Sequence, residues 1–162
     1  MERHLGLSKE GGYSRLIGFR ASTQAPPKPH KRVICSPAAA VSYNISGVLL
    51  HLVMDGEYLP DDIRAKVSAA MADPRLQENT LFLMDMRTSQ ALSERTPDDL
   101  RAMANFLGGF SDRFGQRLAM IASAQLHYGL LRMASAFSAM EGFEANVFYE
   151  WDEAMDWLRG GP

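Results

Sequence analysis

The stretch "LFLMDMRTSQALSERTPDDL", residues 81–100, decides how the chain is read. Leu81 to Met86 is apolar except for Asp85, the pattern of a β-strand buried on both faces of a parallel sheet. Thr96-Pro97-Asp98-Asp99 spells a helix start. Thr96 serves as N-cap, Pro97 suits the first helical position, and the two aspartates favour the positive end of the helix dipole. Strand, polar loop and helix form half of a βαβ unit, so the same alternation is expected on either side.

Upstream, "VSYNIS" (41–46) and "VLLHLVMDG" (48–56) read as two strands joined by a tight turn at Ser46-Gly47. "PDDIRAKVSAAMA" (60–72) puts Ile63, Val67, Ala70 and Met71 on one helical face, and Asp73-Pro74 ends it. Downstream, Leu100, Met103, Leu107 and Phe110 give the helix after Thr96 its buried face. "RLAMIAS" (117–123) is another buried strand. "LHYGLLRMASAFSAM" (126–140) is a helix with Leu126, Leu130, Met133, Phe137 and Met140 in line. "EANVFY" (144–149) is the last strand, and "DEAMDWL" (152–158) the last helix, with Ala154, Met155 and Leu158 packing inward. The order ββαβαβαβα predicts an α/β domain over residues 41–160. Its sheet is single, mixed and mostly parallel, with an N-terminal antiparallel hairpin and about four helices.

The chain has 162 residues, 46% of them hydrophobic and 22% charged, enough to supply a core. A single cysteine, Cys35, excludes an internal disulfide and makes a reducing, cytoplasmic setting the expectation. A net charge of -2 gives no electrostatic case for nucleic acid. No apolar run approaches the roughly 20 residues that span a bilayer. Before residue 41, Arg3, Lys9, Arg15, Arg20, Lys28, Lys31 and Arg32 stand against Glu2 and Glu10. With "APPKPHK" and no apolar period, residues 1–40 are expected to be a disordered basic extension. A mis-assigned start or a leader explains it best, because a complete domain begins near Val41. A transit peptide or a tail for anionic surfaces is the other reading.

Four phrases resemble the SpoIIAA-like family of STAS/SEC14 (CRAL-TRIO-like) domain proteins: "GVLLHLVMDGEY" (47–58), "LFLMDMR" (81–87), "RLAMIASAQLHYGLLRM" (117–133) and "VFYEWDEAMDWL" (147–158). The likeness covers Val41 to Arg159. It implies a bacterial STAS/SpoIIAA-like α/β domain with a binding or regulatory role and no assigned reaction. Anti-sigma-factor antagonists of the STAS class carry an Asp-Ser-Ser-Gly-like phrase whose serine is phosphorylated. Here the corresponding region is "TSQALSERTPDD" (88–99), without a Ser-Gly pair. Phosphate added near Asp98 and Asp99 would meet like charge.

Open α/β sheets place sites beyond the carboxyl ends of parallel strands. Those ends supply Asp55 and Glu57, then Asp85 and Arg87, then Ser123, Gln125, His127 and Tyr128. Arg87 offers a bidentate fork for an anionic head, and His127 can add another hydrogen-bond donor. Each also has a structural explanation: Asp85 as Arg87's partner, His127 and Tyr128 as half-buried polar tips, His51 as a packed strand residue. Ser123, His127 and Asp85 can be drawn as a triad, but Ser123 lacks a nucleophile elbow. No spacing suggests a metal, and no phosphate or dinucleotide motif calls for a cofactor.

The expectation is therefore a non-enzymatic binding or regulatory domain. Its ligand-binding candidates are Asp85, Arg87, His127 and Tyr128 for a polar head, and Leu130, Met133 and Phe137 for an apolar part. Methionines at 54, 71, 84, 86, 103, 120, 133, 140 and 155 fall in or beside core elements and can adapt to an apolar guest. The candidate partners are a small apolar or amphipathic ligand, a protein, or a membrane surface met peripherally. The alternative is a partner-switching regulator, like an anti-sigma-factor antagonist, without the usual phosphoserine motif.

Overall fold

The computed structural model describes residues 40–160. The expected basic extension, but for Ala40, lies outside them. The strands are β1 (Val41–Ser46), β2 (Leu49–Gly56), β3 (Leu81–Ser89), β4 (Arg117–Ile121) and β5 (Glu144–Phe148). The helices are α1 (Pro60–Met71), α2 (Pro97–Gly108), α3 (Gln125–Met140) and α4 (Trp151–Leu158). The strands form one sheet in the order β1-β2-β3-β4-β5, with β1 antiparallel to β2 and the other pairs parallel.

That order explains the layers. Crossovers of one hand, each stepping one strand along, put their helices on the same face. Accordingly α1, α2 and α3 share one core with alternate strand residues, including Leu50, Leu52, Met54, Phe82, Met84, Leu118 and Met120. The other face packs Leu83, Ala119 and Ile121 against α4 through Ala154, Met155, Trp157 and Leu158. Strand residues of period two thus feed two separate cores.

Thr96 is the N-cap of α2, as the sequence predicts. Its Oγ1 accepts the Asp99 N–H at 3.2 Å, and the Asp99 carboxylate accepts the Thr96 N–H at 3.0 Å. Those Thr96 donors hold the Asp99 carboxyl below its ordinary range. Thr96→Ala is expected to cost about 1 kcal/mol of folding stability, read from the urea midpoint. An unchanged midpoint would show that the cap does not hold the helix.

Helix α3 departs from expectation. Its apolar line was expected to be Leu126, Leu130, Met133, Phe137 and Met140. In the fold Leu126 is 63% and Met140 77% exposed, while Leu131 and Ser138 are buried. Apolar residues occur all round this helix, so periodicity does not select the packed side. Close approach to the sheet does. Ala134, Ser135 and Ser138 are small, and the serine hydroxyls are satisfied by the carbonyls of Ala145 and Ala134.

β5 is a sheet edge, and its outward groups are partly covered. Glu144 N–H and Phe148 C=O bond toward β4, so the backbone N–H and C=O groups of Ala145 and Val147 point away from it. Ala145 C=O accepts from Ser135, and Val147 N–H donates to Asn146 Oδ1 at 2.9 Å. This blunts the edge against strand addition.

Candidate functional site

Two features compete for the site: the polar groups at the carboxyl ends of the strands, and a chamber inside the larger core. The polar group is built on β3. Between Val53↔Asp85 and Asp55↔Thr88 the register shifts, so Met86 and Arg87 together oppose Met54. Such a bulge bends the strand and re-aims its side chains. Here Arg87 turns back on Asp85. Its Nη2 donates to Oδ2 at 2.6 Å and its Nε to Oδ1 at 3.0 Å, and its own N–H donates to Oδ1 at 3.1 Å.

His51 on β2 completes the cluster, with Nε2 3.7 Å from Asp85 Oδ2. Its ring stands edge-on to Trp151 of α4 at 4.8 Å. Nε2 is buried without a hydrogen-bond partner among the described residues. Burial lowers the His51 pKa, outweighing the attraction of Asp85. Burial works to raise the Asp85 pKa, but the donors of Arg87 and the charge of His51 prevail and hold it below its ordinary value.

The guanidinium fork of Arg87 is thus taken up by its neighbour, and an anionic ligand would have to displace Asp85. Nor do the other candidates converge on it. Ser123 Oγ donates to the Arg87 carbonyl at 2.7 Å, which commits the hydroxyl and leaves no triad geometry. His127 Nδ1 is buried and has no partner among the described residues. Tyr128 stacks on Tyr149, centroids 4.7 Å apart. Leu130 packs on the larger core, Met133 is 39% exposed, and Phe137 lies under the Arg101 guanidinium at 4.8 Å. The strand order explains why no crevice gathers these residues: it never reverses, and carboxyl-end crevices form where it does.

Both titrations make the cluster acid-sensitive. A depressed carboxyl pKa contributes stability above the unfolded value near 4, and that contribution is lost as pH falls through the folded value. A histidine with a lowered pKa favours the fold less as pH falls below about 6.5, because the unfolded chain takes the proton first. Arg87→Ala is expected to cost about 1–2 kcal/mol at pH 7, modest for a charge-assisted pair because the Arg87 side chain is 45% exposed. The cost should shrink toward pH 3 as Asp85 protonates. Denaturant midpoints of both proteins at pH 7 and pH 3 check this, and a cost independent of pH would contradict it.

The chamber lies between the sheet and helices α2 and α3, with a volume of about 60 Å³. Met54, Met84, Met86 and Met120 come from the strands, Leu100, Met103, Ala104 and Leu107 from α2, and Leu131, Ala134 and Ser138 from α3. Its polar end carries Tyr58, Arg95 and Asp99, the last two half-exposed. Tyr58 and Ser89 share a buried hydrogen bond of 2.6 Å, and Ser89 Oγ also accepts the Leu92 N–H at 3.2 Å. The 3-10 turn Ala91–Glu94 continues from there and buries Ala91 and Leu92, with Leu92 on the chamber, while Gln90, Ser93 and Glu94 stay exposed.

None of the seven ligand-binding candidates lines this chamber. On α3 the lining residues are neighbours of the expected ones, displaced by the rotation of the helix. Arg95 escaped notice because it is an isolated loop residue, and only the fold brings it to Tyr58. The methionines were the legible signal: five of those named from the sequence line the chamber, at 54, 84, 86, 103 and 120.

The sequence matches no protein-family model and no curated protein. A solved structure is similar to the chain: an uncharacterised protein of the DUF3478 family with a SpoIIAA-like fold, from Shewanella loihica PV-4. The identity is 21% and the TM-score 0.47, over 74% of this chain and 92% of that one. Among the described residues no helix is long and apolar enough to cross a membrane, and no cluster of three or more metal-ligating side chains occurs.

Proposed function

We propose that this is a non-enzymatic binding domain that takes a small apolar or amphipathic ligand into the chamber beneath α2 and α3. The observation that carries this reading is the lining: five methionines around a chamber of about 60 Å³. Close-packed interiors hold few voids larger than a water molecule, and each costs stability. Methionine side chains adapt to irregular guests, and apolar cavities stay dry and accept apolar molecules. Helix α3 is the natural cover, because it closes one side of the chamber with Leu131, Ala134 and Ser138.

The partner-switching alternative has less support. Ser89 is buried and hydrogen-bonded on both sides, and Thr96 is engaged as a cap. Phosphorylating either would break structure.

The test is a titration of the full chain, with ¹³C-labelled methionine methyls, by 1-octanol. The resonances of Met54, Met84, Met86, Met103 and Met120 should shift in a saturable way. The exposed Met133 and Met140 should not. Saturable shifts confined to the exposed pair, or none at all, would sink the reading.

A further inference from the structure

We infer that the chamber takes an anionic amphiphile, with its apolar chain among the methionines and its head on Arg95. This rests on the ligand-binding reading above. The chamber lining contains two charged residues, Arg95 and Asp99, both at the polar end. Asp99 is already engaged: its Oδ2 accepts the N–H of Thr96 at 3.0 Å and the Thr96 hydroxyl at 2.8 Å.

Arg95 is placed without a direct ion pair, although the charge of nearby Asp99 reaches it. Its guanidinium lies over the Tyr58 ring at 5.2 Å, and Nη2 donates to the Tyr58 carbonyl. Among the described residues no carboxylate lies within 4 Å of it, and its Nε and Nη1 have no hydrogen-bond partner. Arginine stays charged, and its planar fork matches a carboxylate or phosphate. Stacking on Tyr58 and the single carbonyl bond fix its plane before any ligand arrives.

Arg87 offers the contrast. Its fork is closed by Asp85, whereas Arg95 has given only Nη2 to a carbonyl and keeps Nε and Nη1 without partners among the described residues. Burying a charged head among methionines would be prohibitive, so the head belongs at the half-exposed end. A volume of about 60 Å³ holds roughly four water-sized groups, so it takes the first few carbons of a chain and the flexible methionines make room for the rest.

Nonanoate, octyl phosphate and 1-octanol share an eight-carbon alkyl chain and differ in the head, so titrating each against methionine-labelled full chain isolates the head's effect. The expected result is that at least one anion binds tenfold or more tightly than octanol, and the tighter of the two names the head. Arg95→Gln should bring that anion to octanol's affinity and leave octanol unchanged. Equal affinities of all three in the wild type would overturn the head assignment and leave the chamber reading standing. An anion preference that survives Arg95→Gln would overturn the role of Arg95. No saturable shift with any of the three would overturn both readings. The wild-type comparison decides even if Arg95→Gln fails to fold.

Discussion

Phe114→Ala is expected to lower the folding stability by about 3–5 kcal/mol, the range for removing a large aromatic ring from a packed core. Phe114 is 1% exposed. Its ring meets Phe82 of β3 at 5.4 Å and Phe143, just before β5, at 5.5 Å. It therefore ties three parts of the larger core together from the 3-10 turn Ser111–Phe114 that leads into β4. Truncation forfeits both aromatic contacts and leaves a void beneath the sheet, which the rigid strands cannot close. A melting-temperature drop of roughly 10–20 °C should accompany the loss. Urea unfolding checks it, and a loss below about 1 kcal/mol would show that the site collapses around the missing ring.

Ala134→Leu should abolish ligand binding while leaving the fold in place. Ala134 lines the chamber from α3 and is only half-buried, so a larger side chain enters the void instead of displacing packed neighbours. Overpacking commonly costs about 1–3 kcal/mol, and here the existing space should keep the cost at the low end. The affinity for 1-octanol should fall at least thirtyfold, about 2 kcal/mol. Methionine methyl shifts and a denaturation curve on one sample separate the two effects. Octanol binding that survives the substitution would mean the ligand sits elsewhere.

Much of the fold was legible because its signals are local. The apolar run from Leu81 to Met86, the Thr96-Pro97-Asp98-Asp99 cap and the hairpin at Ser46-Gly47 each depend on residues adjacent in the chain. The five strands and four helices follow from them. The candidate site was less legible. Arg87 and Asp85, two residues apart, were readable as a pair. The link from His51 to Asp85 depends on β2–β3 register, and the facing of Arg95 toward Tyr58 on a contact 37 residues apart in sequence.

Helix α3 marks the boundary between the two kinds of information. Its composition establishes that it is a helix, but apolar residues on every side leave its rotation undetermined. Tertiary packing chose the side with Ala134, Ser135 and Ser138, because small side chains let the helix lie close to β5 and satisfy their hydroxyls on carbonyls. That choice placed Ala134 rather than Met133 on the chamber. The amino-acid sequence alone determined the elements, their order and the methionine-rich interior, since these follow from local propensity and periodicity. Which residues surround the void was decided only in three dimensions, where strand register and helix rotation bring distant side chains together.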